Sequence, residues 1–402
     1  MPRVVFVNRF YWPEEPATAQ LLHDLAEGLA ARGHAVTVVA ARPANRMVPR
    51  TQTHNGVTID RLASTCWGRD HLLGRLVDYL TFEVACCWYL LRRLRRGDSV
   101  VAMTDPALIG VAVWPATKLK SAALLHWVQD IYPEIATTVT GHRLPLLLRP
   151  LRDWVWRHSA ACVVPGTDMA ALVREHGVAK SRVFVSPNWA PAGLAPASAE
   201  AIAARREEWG LSGNFVLAYS GNLGRVHDLT PLVELAAALH DDPAITFLIV
   251  GHGAQRPRLE TLARERRLTN LRFLPPQPRE QLALSLGIAD VHFVTLRPRT
   301  GRCVFPSKLY GIARAERPVV FIGDRNAEVA RLVRERGFGL TFERTEIITA
   351  AEAVHALRRQ PERIAAMRLA AREFGAEGGL PLALATWQSV LAPKLAVPVP
   401  TA

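Results

Sequence analysis

The sequence predicts an α/β protein with two Rossmann-like domains, each a doubly wound parallel sheet, facing a cleft. Short apolar runs rich in β-branched residues alternate with helical segments from end to end. This alternation is typical of parallel sheets with helices on both faces. It is interrupted once, by a segment rich in Pro, Gly and Ala at Ala190–Gly210. The chain of 402 residues is also too long for one ordinary core.

The first predicted domain spans residues 1–190. Its strand segments are apolar on both faces, as expected for central parallel strands, and the longer segments between them are helical. The predicted strands are Val4–Val7, Val36–Ala40, Val57–Leu62, Val100–Met103, Ala123–Val128, Ala161–Pro165 and Val183–Val185. The predicted helices are Thr18–Arg32, Leu72–Arg96, Leu108–Leu119 and Asp168–His176.

A linker at residues 191–212 leads to a second predicted domain at 213–378, where the same rhythm resumes. A terminal segment at 379–402 contains a last helix, Leu380–Leu395. In open parallel sheets, ligands bind beyond the carboxyl ends of the strands, so we expect the site in the cleft between the domains. The strands of the second domain are predicted at Phe215–Tyr219, Thr246–Val250, Leu271–Leu274, Val291–Val294 and Val319–Ile322.

The charge of the chain indicates an anionic partner. Lys and Arg number 49 against 36 Asp and Glu, giving a formal net charge of +13 and a pI near 10.2. Nucleic acid, a membrane surface and a phosphate-bearing substrate all fit this charge, as do arginines on solvated helix faces. Because the aromatic and basic residues form no recognisable readout module, we expect no nucleic-acid partner.

The sequence also predicts the compartment and the absence of a metal. No apolar run reaches the roughly 18–20 residues of a spanning helix. The N-terminal apolar run is short and indicates a first strand, not a signal peptide, so we expect a cytoplasmic protein. The five cysteines form no CxxC pair and the thirteen histidines no cluster at ligand spacing, so no bound metal or cofactor is expected.

Two glycine-containing turns follow successive strands of the second domain. In the first, YSGNLGRVHDL, Gly221 and Gly224 permit close backbone approach, and Arg225 offers a bidentate phosphate contact. In the second, IVGHGAQRPRLE, Gly251 and Gly253 flank a histidine. Each turn alone is equally typical of a tight strand–helix connection. Two at successive strand ends indicate a shared anion site.

A third candidate is Ser307-Lys308, at the start of a short apolar helical run. Ser307 suits an N-cap or first-turn position. Lys308 in a first turn opposes the helix dipole unless an anion is bound there. A solvated lysine is the alternative, and we favour a phosphate ligand.

The chain resembles a glycosyltransferase of the GT-B fold, family 4, in the branch that builds bacterial surface polysaccharides of the colanic-acid and O-antigen kind. The resemblance extends over some 300 residues and lies in the order and spacing of its motifs. These motifs are RGHAVTVVA, WVQDIYPE, VFVSPN, SGNLGR, VGHG and FPSKLYGIARAERPVV.

The resemblance implies that the second domain binds a nucleotide-sugar donor, with UDP the commonest base. It implies that Gly221, Asn222 and Arg225 line the diphosphate, which Lys308 helps to neutralise. Further donor-binding candidates are Gly251, Gly253 and Ser307, then Pro276 and Gln277 at the base, and Glu328 at the ribose or phosphate.

The chain departs from the family pattern at two glutamates. Many members carry two glutamates separated by seven residues, the second of which grips the ribose. Here those positions hold Cys303 and Gly311, and Glu316 replaces a usual glycine. A catalytically silent partner subunit therefore stays open as an alternative.

The first domain is expected to bind the acceptor. Glu14 and Thr18 lie after the first strand, in a loop where many relatives carry a Gly-Gly pair and this chain carries Glu14-Glu15. Solvated carboxylates at a helix start are the alternative. Asp130 follows a buried strand that contains His126, and His126 also fits a satisfied core histidine. With Arg225 and Lys308, Asp130 completes the catalytic candidates.

Two segments bear on membrane contact. Leu72–Arg96 is apolar on much of its circumference and ends in arginines, and a core helix is its alternative. His142–His158 interleaves Leu and Trp with basic residues, which favours docking on an anionic bilayer surface.

Together these features predict a metal-independent, retaining glycosyltransferase. Its expected acceptor is a polyprenyl-diphosphate-linked saccharide at the inner face of the cytoplasmic membrane. A soluble small-molecule acceptor is the alternative.

Overall fold

The computed structural model describes residues 2–14, 16–43, 47–68 and 72–392. The chain divides into two compact units. The first comprises residues 1–133, 145–188 and 380–402, and the second comprises residues 134–144 and 189–379. The prediction of two parallel-sheet domains is confirmed.

The first unit is built on an eight-stranded sheet with the order β3-β4-β2-β1-β5-β6-β7-β8. All neighbours are parallel except β3, which pairs antiparallel with β4 at the sheet edge. Its strands are β1 Arg3–Val7, β2 Ala35–Ala41, β3 Thr51–His54, β4 Val57–Leu62, β5 Ser99–Ala102, β6 Ala123–Trp127, β7 Ala161–Val164 and β8 Val183–Val185. Its helices are α1 Ala17–Ala30, α2 Leu72–Arg93, α3 Ile109–Leu119, α5 Arg149–Arg157, α6 Thr167–Glu175 and α15 Gly379–Leu391.

The second unit is built on a six-stranded, fully parallel sheet with the order β11-β10-β9-β12-β13-β14. Its strands are β9 Phe215–Ser220, β10 Ile245–Val250, β11 Leu271–Leu274, β12 Val291–Thr295, β13 Val319–Ile322 and β14 Gly339–Phe342. Its helices are α4 Glu134–Thr140, α7 Ala199–Glu208, α8 Thr230–Ala238, α9 Arg256–Glu265, α10 Leu282–Gly287, α11 Lys308–Arg314, α12 Glu328–Glu335, α13 Ile347–Arg358 and α14 Pro361–Ala376.

The last helix, α15, packs in the core of the first unit. The fully buried indole of Trp387 lies with its ring centroid 5.2 Å from that of Trp127 and 6.0 Å from the ring of Phe6. Gly28 of α1 lies so close to Leu384 that an added Cβ would be 2.7 Å from its Cδ1 atom. Aromatic burial of this kind is worth several kcal/mol, and it ties the end of the chain to the first sheet.

Helix α2 has two apolar faces. Phe82, Cys86 and Leu90 are fully buried in the core of the first unit, so the alternative of a core helix accounts for this face. Leu80, Val84 and Trp88, on another face, are each more than half exposed. Within the described ranges, no helix is long and apolar enough to cross a bilayer.

Glu316 adopts a backbone conformation that suits glycine, the residue that the family resemblance implies at its position. It follows the end of α11 with a φ of 56°, in the left-handed region that costs a residue with a Cβ about 1–2 kcal/mol. Its ion pair with the exposed Arg372 side chain spans 3.6 Å, so it offsets little of that cost.

We expect Glu316→Gly to raise the free energy of unfolding by about 0.5–1 kcal/mol, since relief of strain exceeds the entropy that glycine adds to the unfolded chain. Urea denaturation measures the change. Glu352→Gly, an exposed position inside α13, is the control and should destabilise by about 0.5–1 kcal/mol. Equal losses in both variants would contradict the strain argument.

Candidate functional site

The two glycine turns of the second unit pack against each other. They follow β9 and β10, which are neighbours in the sheet. The N–H of Leu223 donates to the carbonyl of His252 over 2.8 Å, and the N–H of Gln255 donates to the carbonyl of Leu223 over 3.2 Å. The two loops therefore form one rigid surface at the carboxyl ends of the strands.

Gly251 and Gly253 are required by this close approach. Gly251 has a φ of 144°, and a Cβ there would lie 2.0 Å from the carbonyl oxygen of Gly221. Gly253 has a φ of 148°, and its Cβ would lie 2.7 Å from the backbone of Leu223. Side chains at either position would push the turns apart.

Gln255 braces the first turn from the second, and the sequence analysis did not single it out. Its Nε2 amide donates to the carbonyl of Gly224 over 2.5 Å and to that of His227 over 2.7 Å. A glutamine one residue before a helix carries no distinctive sequence signal. Its role becomes visible only when the two turns are in contact.

Lys308 is brought against the first turn. Its Nζ atom lies 3.7 Å from the centroid of the Tyr219 ring and 3.3 Å from where a Cβ on Gly221 would be. Nζ is buried and has no hydrogen-bond partner among the residues that the structure describes. The Tyr219 hydroxyl donates to the Asn222 carbonyl over 2.7 Å, so the ring is fixed. A buried ammonium with only a π face for a neighbour is poised to take an anion.

Burial lowers the pKa of Lys308 to about 7, because the charged form is desolvated with no carboxylate to compensate. His227 lies in the same turn, and burial, together with the charge of Lys308, lowers its pKa to about 3. Its Nδ1 lies 2.9 Å from the Thr295 carbonyl, which identifies Nδ1 as the protonated nitrogen of a neutral ring. Lys308, which packs against this turn, is therefore a group there whose charge changes near neutral pH.

Arg225 and Asn222 are exposed on the first turn. The Arg225 backbone carbonyl accepts from Arg297 Nε over 3.0 Å, which holds the residue, while its guanidinium makes no ion pair to any described residue. Ser307 occupies the N-cap position of α11 with helical dihedrals, and its side chain makes no capping hydrogen bond. Ser307 thus takes the expected position at the start of α11, without a side-chain capping bond.

The remaining donor candidates lie at the carboxyl ends of other strands of the same sheet. Pro276 and Gln277 follow β11, and the Gln277 amide donates to the Pro275 carbonyl over 3.0 Å. Glu328 begins α12 after β13 and lies close enough to Tyr310 to contribute, after burial, to the raised pKa of that phenol. Their part in binding stays a prediction.

In the first unit, Asp130 follows β6 and lines a small cavity with His126, Tyr132 and Arg152. Burial raises the pKa of Asp130 to about 7, and the neighbouring Asp105 carboxylate adds to the shift. The pKa of Asp105 is itself raised by burial to about 6. Near neutral pH, Asp130 is thus partly protonated beside the largely ionised Asp105, so the pair can both donate and accept hydrogen bonds. Asp105 was missed because nothing in its sequence neighbourhood pairs it with Asp130.

His126 is a satisfied core residue. The Ser159 hydroxyl donates to the Val155 carbonyl over 2.7 Å, so His126 Nε2, 3.0 Å away, donates to that hydroxyl. Burial, and then the charge of Arg152, lower the pKa of His126 to about 3, so it is neutral. A Cβ on Gly110 would lie 2.2 Å from the imidazole. The alternative of a core histidine thus describes its environment, although it also borders the Asp130 cavity.

Glu14 and Thr18 are not among the residues that line the Asp130 cavity. Glu14 is half-buried and lines a larger pocket of the first unit. Burial lowers the pKa of Arg61, and the charge of Glu14 offsets part of that shift. Thr18 is half-buried in the first turn of α1. Glu15 lies outside the described residues.

Comparisons with known proteins decide the family. A model of the "Glycosyl transferase 4-like domain" matches residues 17–189, and one of "Glycosyl transferases group 1" matches residues 201–374. The crystal structure of Anabaena HepE in complex with UDP has a TM-score of 0.74 at 14% identity, covering 97% of this chain and 99% of that chain. The chain belongs to the GT-B glycosyltransferases of family 4.

Relatives of this glycosyltransferase include proteins named for surface-polysaccharide synthesis. It is 26% identical over 368 residues to the putative colanic acid biosynthesis glycosyl transferase WcaI of Escherichia coli K12, covering 86% of this chain and 88% of that protein. It is 29% identical over 269 residues to the probable glycosyltransferase WbjE of Pseudomonas aeruginosa, covering 62% and 63%. WaaG, a glycosyltransferase involved in lipopolysaccharide biosynthesis, shares the fold with a TM-score of 0.72 at 14% identity, covering 97% and 100%.

The glycosyltransferase lacks side chains for ribose contact at the two family glutamate positions. Cys303 is buried, with its backbone N–H donating to the Thr300 carbonyl. Gly311 lies inside α11, where an added Cβ would meet Leu286 at an ordinary 3.7 Å. Glycine is therefore not forced on position 311 by crowding.

The fold brings two histidines that lie far apart in the sequence together with a glutamate. Glu27 Oε1 of α1 lies 3.4 Å from His23 Nε2 and 3.6 Å from His54 Nε2 at the end of β3. The three ligand atoms lie within 4.8 Å of one another. Sequence spacing could not reveal this, because the β3–β4 hairpin brings His54 across some thirty residues of chain. Asn55 Nδ2 donates to the same Glu27 oxygen over 3.0 Å, so a hydrogen-bonded cluster already accounts for the arrangement.

Proposed function

We propose that this glycosyltransferase moves a sugar from a UDP-linked donor to a polyprenyl-diphosphate-linked saccharide, with retention of configuration and without a metal ion. The reaction would serve bacterial surface-polysaccharide synthesis at the inner face of the cytoplasmic membrane. The observation that carries the proposal is the buried Lys308 ammonium, unpaired within the described chain, against two glycine turns on neighbouring strands.

The proposed chemistry explains why a cation is kept at that turn. Breaking the bond between the anomeric carbon and the diphosphate leaves negative charge on the departing oxygen, and a preorganised cation in a dry site stabilises it most strongly. Lys308 would neutralise the diphosphate, and the exposed guanidinium of Arg225 would form bidentate hydrogen bonds with it. The acceptor oxygen attacks the same face that the diphosphate leaves, and its proton passes to a diphosphate oxygen.

The choice of UDP and of a role in surface-polysaccharide synthesis is supported by the relatives. The HepE structures contain UDP or UDP-glucose, and WcaI and WaaG are named for colanic acid and lipopolysaccharide biosynthesis. Asp130 is the proposed acceptor-side carboxyl group, because with a pKa of about 7 it can donate or accept a hydrogen bond to an acceptor hydroxyl near neutral pH and so orient it.

The test is turnover of a panel of UDP-sugars with a synthetic prenyl-diphosphate saccharide, with and without EDTA. We expect transfer in EDTA and retained anomeric configuration by NMR. An inverted product would reject the retaining assignment, and loss of activity in EDTA would reject metal independence. If no nucleotide-sugar is bound or consumed, the silent-subunit alternative replaces the enzyme. Transfer to free sugars alone supports the soluble acceptor.

Donor binding should take up a proton above neutral pH. At pH 8.5 most Lys308 side chains are neutral, since burial lowers the pKa to about 7, and a diphosphate would restore the charged form. We expect UDP binding measured calorimetrically in buffers of different ionisation enthalpy to show uptake approaching one proton at pH 8.5. Uptake should fall towards pH 6, where the lysine is already charged. Buffer-independent heats at pH 8.5 would contradict this, and Lys308→Met should abolish the uptake.

A membrane-facing surface is proposed on the first unit. Helices α2 and α5 both pack on α3, and the ring centroids of Trp114 and Trp154 lie 4.7 Å apart. The layer exposes apolar side chains, among them Leu80 and Trp88 on α2. Basic groups accompany them, with Arg92 4.1 Å from the Trp88 ring centroid. Exposed Trp and Leu beside Arg suit an anionic bilayer surface.

We expect Leu80→Glu with Trp88→Glu to lower binding to anionic vesicles about tenfold or more, because apolar insertion is lost and negative charge is added. Vesicle sedimentation at two salt concentrations measures it. Ile348→Glu is the control, since Ile348 is equally exposed but lies in the second unit. Unchanged sedimentation of the double variant would reject this surface.

A further inference from the structure

A pocket of about 350 Å³ lies in the first unit, where several strands end. Arg9 follows β1, Arg42 follows β2 and Ser64 follows β4, and all three line it together with Arg75 from α2. The volume is that of a small-ligand site, and the carboxyl ends of parallel strands are where such sites form.

The acidic residues of the pocket are already engaged. Asp78 accepts from the backbone N–H groups of Trp67 and Gly68, each over 2.9 Å, and from Arg9 over 3.3 Å. Burial opposes ionisation of this carboxyl, but those donors outweigh it and hold its pKa below the usual value. Glu14 interacts with Arg61, beyond the pocket lining. The lining holds three arginines (Arg9, Arg42 and Arg75) against these two carboxylates, so its formal net charge is +1.

Two arginines keep donors available for a ligand. The guanidinium of Arg42 is exposed and makes no hydrogen bond or ion pair to any residue within the described ranges. Arg75 uses Nε to donate to the Gly68 carbonyl over 3.1 Å, so its terminal nitrogens remain. The Ser64 hydroxyl is buried without a partner in the described chain. Convergent Arg forks and an unsatisfied hydroxyl fit phosphate oxygens.

The positive pocket adjoins an apolar stripe on the same helix. Arg75, Asp78 and Tyr79 of α2 line the pocket, whereas Leu76 and Leu80, next to them in sequence, are 53% and 51% exposed. Leu73, one turn earlier, is 77% exposed. A ligand that filled the pocket with an anionic head would thus have an exposed apolar path for a hydrocarbon tail.

We propose that this pocket binds the diphosphate of a prenyl-diphosphate-linked acceptor, with the first isoprene units along the apolar stripe of α2. The inference rests on the proposed function for its acceptor class and adds a site for that acceptor in the first unit. The proposal explains why a positively charged pocket lies next to an exposed apolar face of α2. Arg42 and Arg75 would bind the two phosphates bidentately, with Ser64 donating its hydroxyl hydrogen.

The test compares three probes by equilibrium binding to the full chain: farnesyl diphosphate, inorganic pyrophosphate and farnesol. We expect farnesyl diphosphate to bind at least tenfold more tightly than either of the others, because only it offers both head and tail. Arg42→Gln with Arg75→Gln should weaken it tenfold or more. Leu76→Ser with Leu80→Ser should weaken farnesyl diphosphate but leave pyrophosphate unchanged.

Arg174→Gln is the control for loss of a surface arginine, since Arg174 is exposed on α6 away from the pocket lining. Each variant is checked by far-UV circular dichroism and by its melting temperature. Undiminished farnesyl diphosphate binding in the double arginine variant would overturn the proposal. Equal affinity for pyrophosphate and farnesyl diphosphate would identify an anion site without a tail, which also overturns it.

The outcome can be separated from failure of the proposed function. The Lys308 turn belongs to the second unit, so UDP affinity is read independently of the pocket variants. UDP-sugar turnover without farnesyl diphosphate binding would reject the pocket and keep the enzyme. If farnesyl diphosphate binds in an arginine-dependent way but no nucleotide-sugar binds, the pocket is kept and the proposed enzyme function is rejected. In transfer assays the double arginine variant should raise the acceptor KM at least tenfold and leave the donor KM unchanged.

Discussion

Lys308→Met should lower kcat/KM for sugar transfer by about 10²–10³-fold, while the folded state becomes more stable. Loss of one preorganised donor to a developing anion typically costs that much in rate. Methionine keeps the length of the side chain beside the Tyr219 ring and removes the charge that burial penalises. Steady-state kinetics and urea denaturation therefore change in opposite directions.

The pH dependence of the free energy of unfolding shows that charged Lys308 destabilises the folded protein. The pKa of Lys308 is about 7 in the folded protein, against 10.5 for an ordinary lysine. Between those values the unfolded chain holds a proton that the folded chain lacks, so this group makes stability rise with pH by up to about 1.4 kcal/mol per unit. Its full penalty is present below pH 7. Lys308→Met should remove that part of the slope.

Arg266→Met is the control for Lys308→Met, because Arg266 is an exposed cation of the same unit, after α9. It should leave both kcat/KM and the pH slope within about twofold and about 0.5 kcal/mol of wild type. A Lys308→Met variant that is less stable at pH 7 and retains full activity would show that the ammonium is a structural group. The donor-site assignment would then fail.

Much of the fold was predictable, because buried parallel strands leave a simple signature. Segments such as Phe215–Tyr219 are continuously apolar since helices cover both faces of the sheet. Two of the four edge strands, β3 and β14, were missed for the complementary reason. β3 has the polar sequence TQTH and is half exposed, and β14 begins with glycine, so neither carries that signature.

The candidate site was predictable only in its local parts. Glycines directly after strands located both turns, since a backbone that must approach another backbone excludes a Cβ. The ring of Tyr219 under Lys308, the Gln255 brace and the pairing of Asp105 with Asp130 depend on packing between segments far apart in sequence. No local pattern encodes such contacts, so they became visible only in the folded chain.

Gly251→Ala should destabilise the protein by on the order of 3 kcal/mol and abolish detectable donor binding. Its φ of 144° is open almost solely to glycine, and the added Cβ would lie 2.0 Å from the Gly221 carbonyl oxygen. That atom is backbone, held by the Gly221 N–H donating to the Val250 carbonyl over 3.0 Å, so it cannot yield as a flexible side chain would. The turn that carries Asn222 and Arg225 must shift instead.

Gly213→Ala separates this collision from the cost of a positive φ alone. Gly213 lies in the same unit with a φ of 78° and nothing within 4 Å of an added Cβ. It should destabilise by about 1 kcal/mol and leave UDP affinity unchanged. Urea denaturation and calorimetry with UDP compare the two variants. If both lose the same stability and Gly251→Ala still binds UDP as wild type does, close contact of the two turns is not what shapes the donor site, and the diphosphate must be held elsewhere.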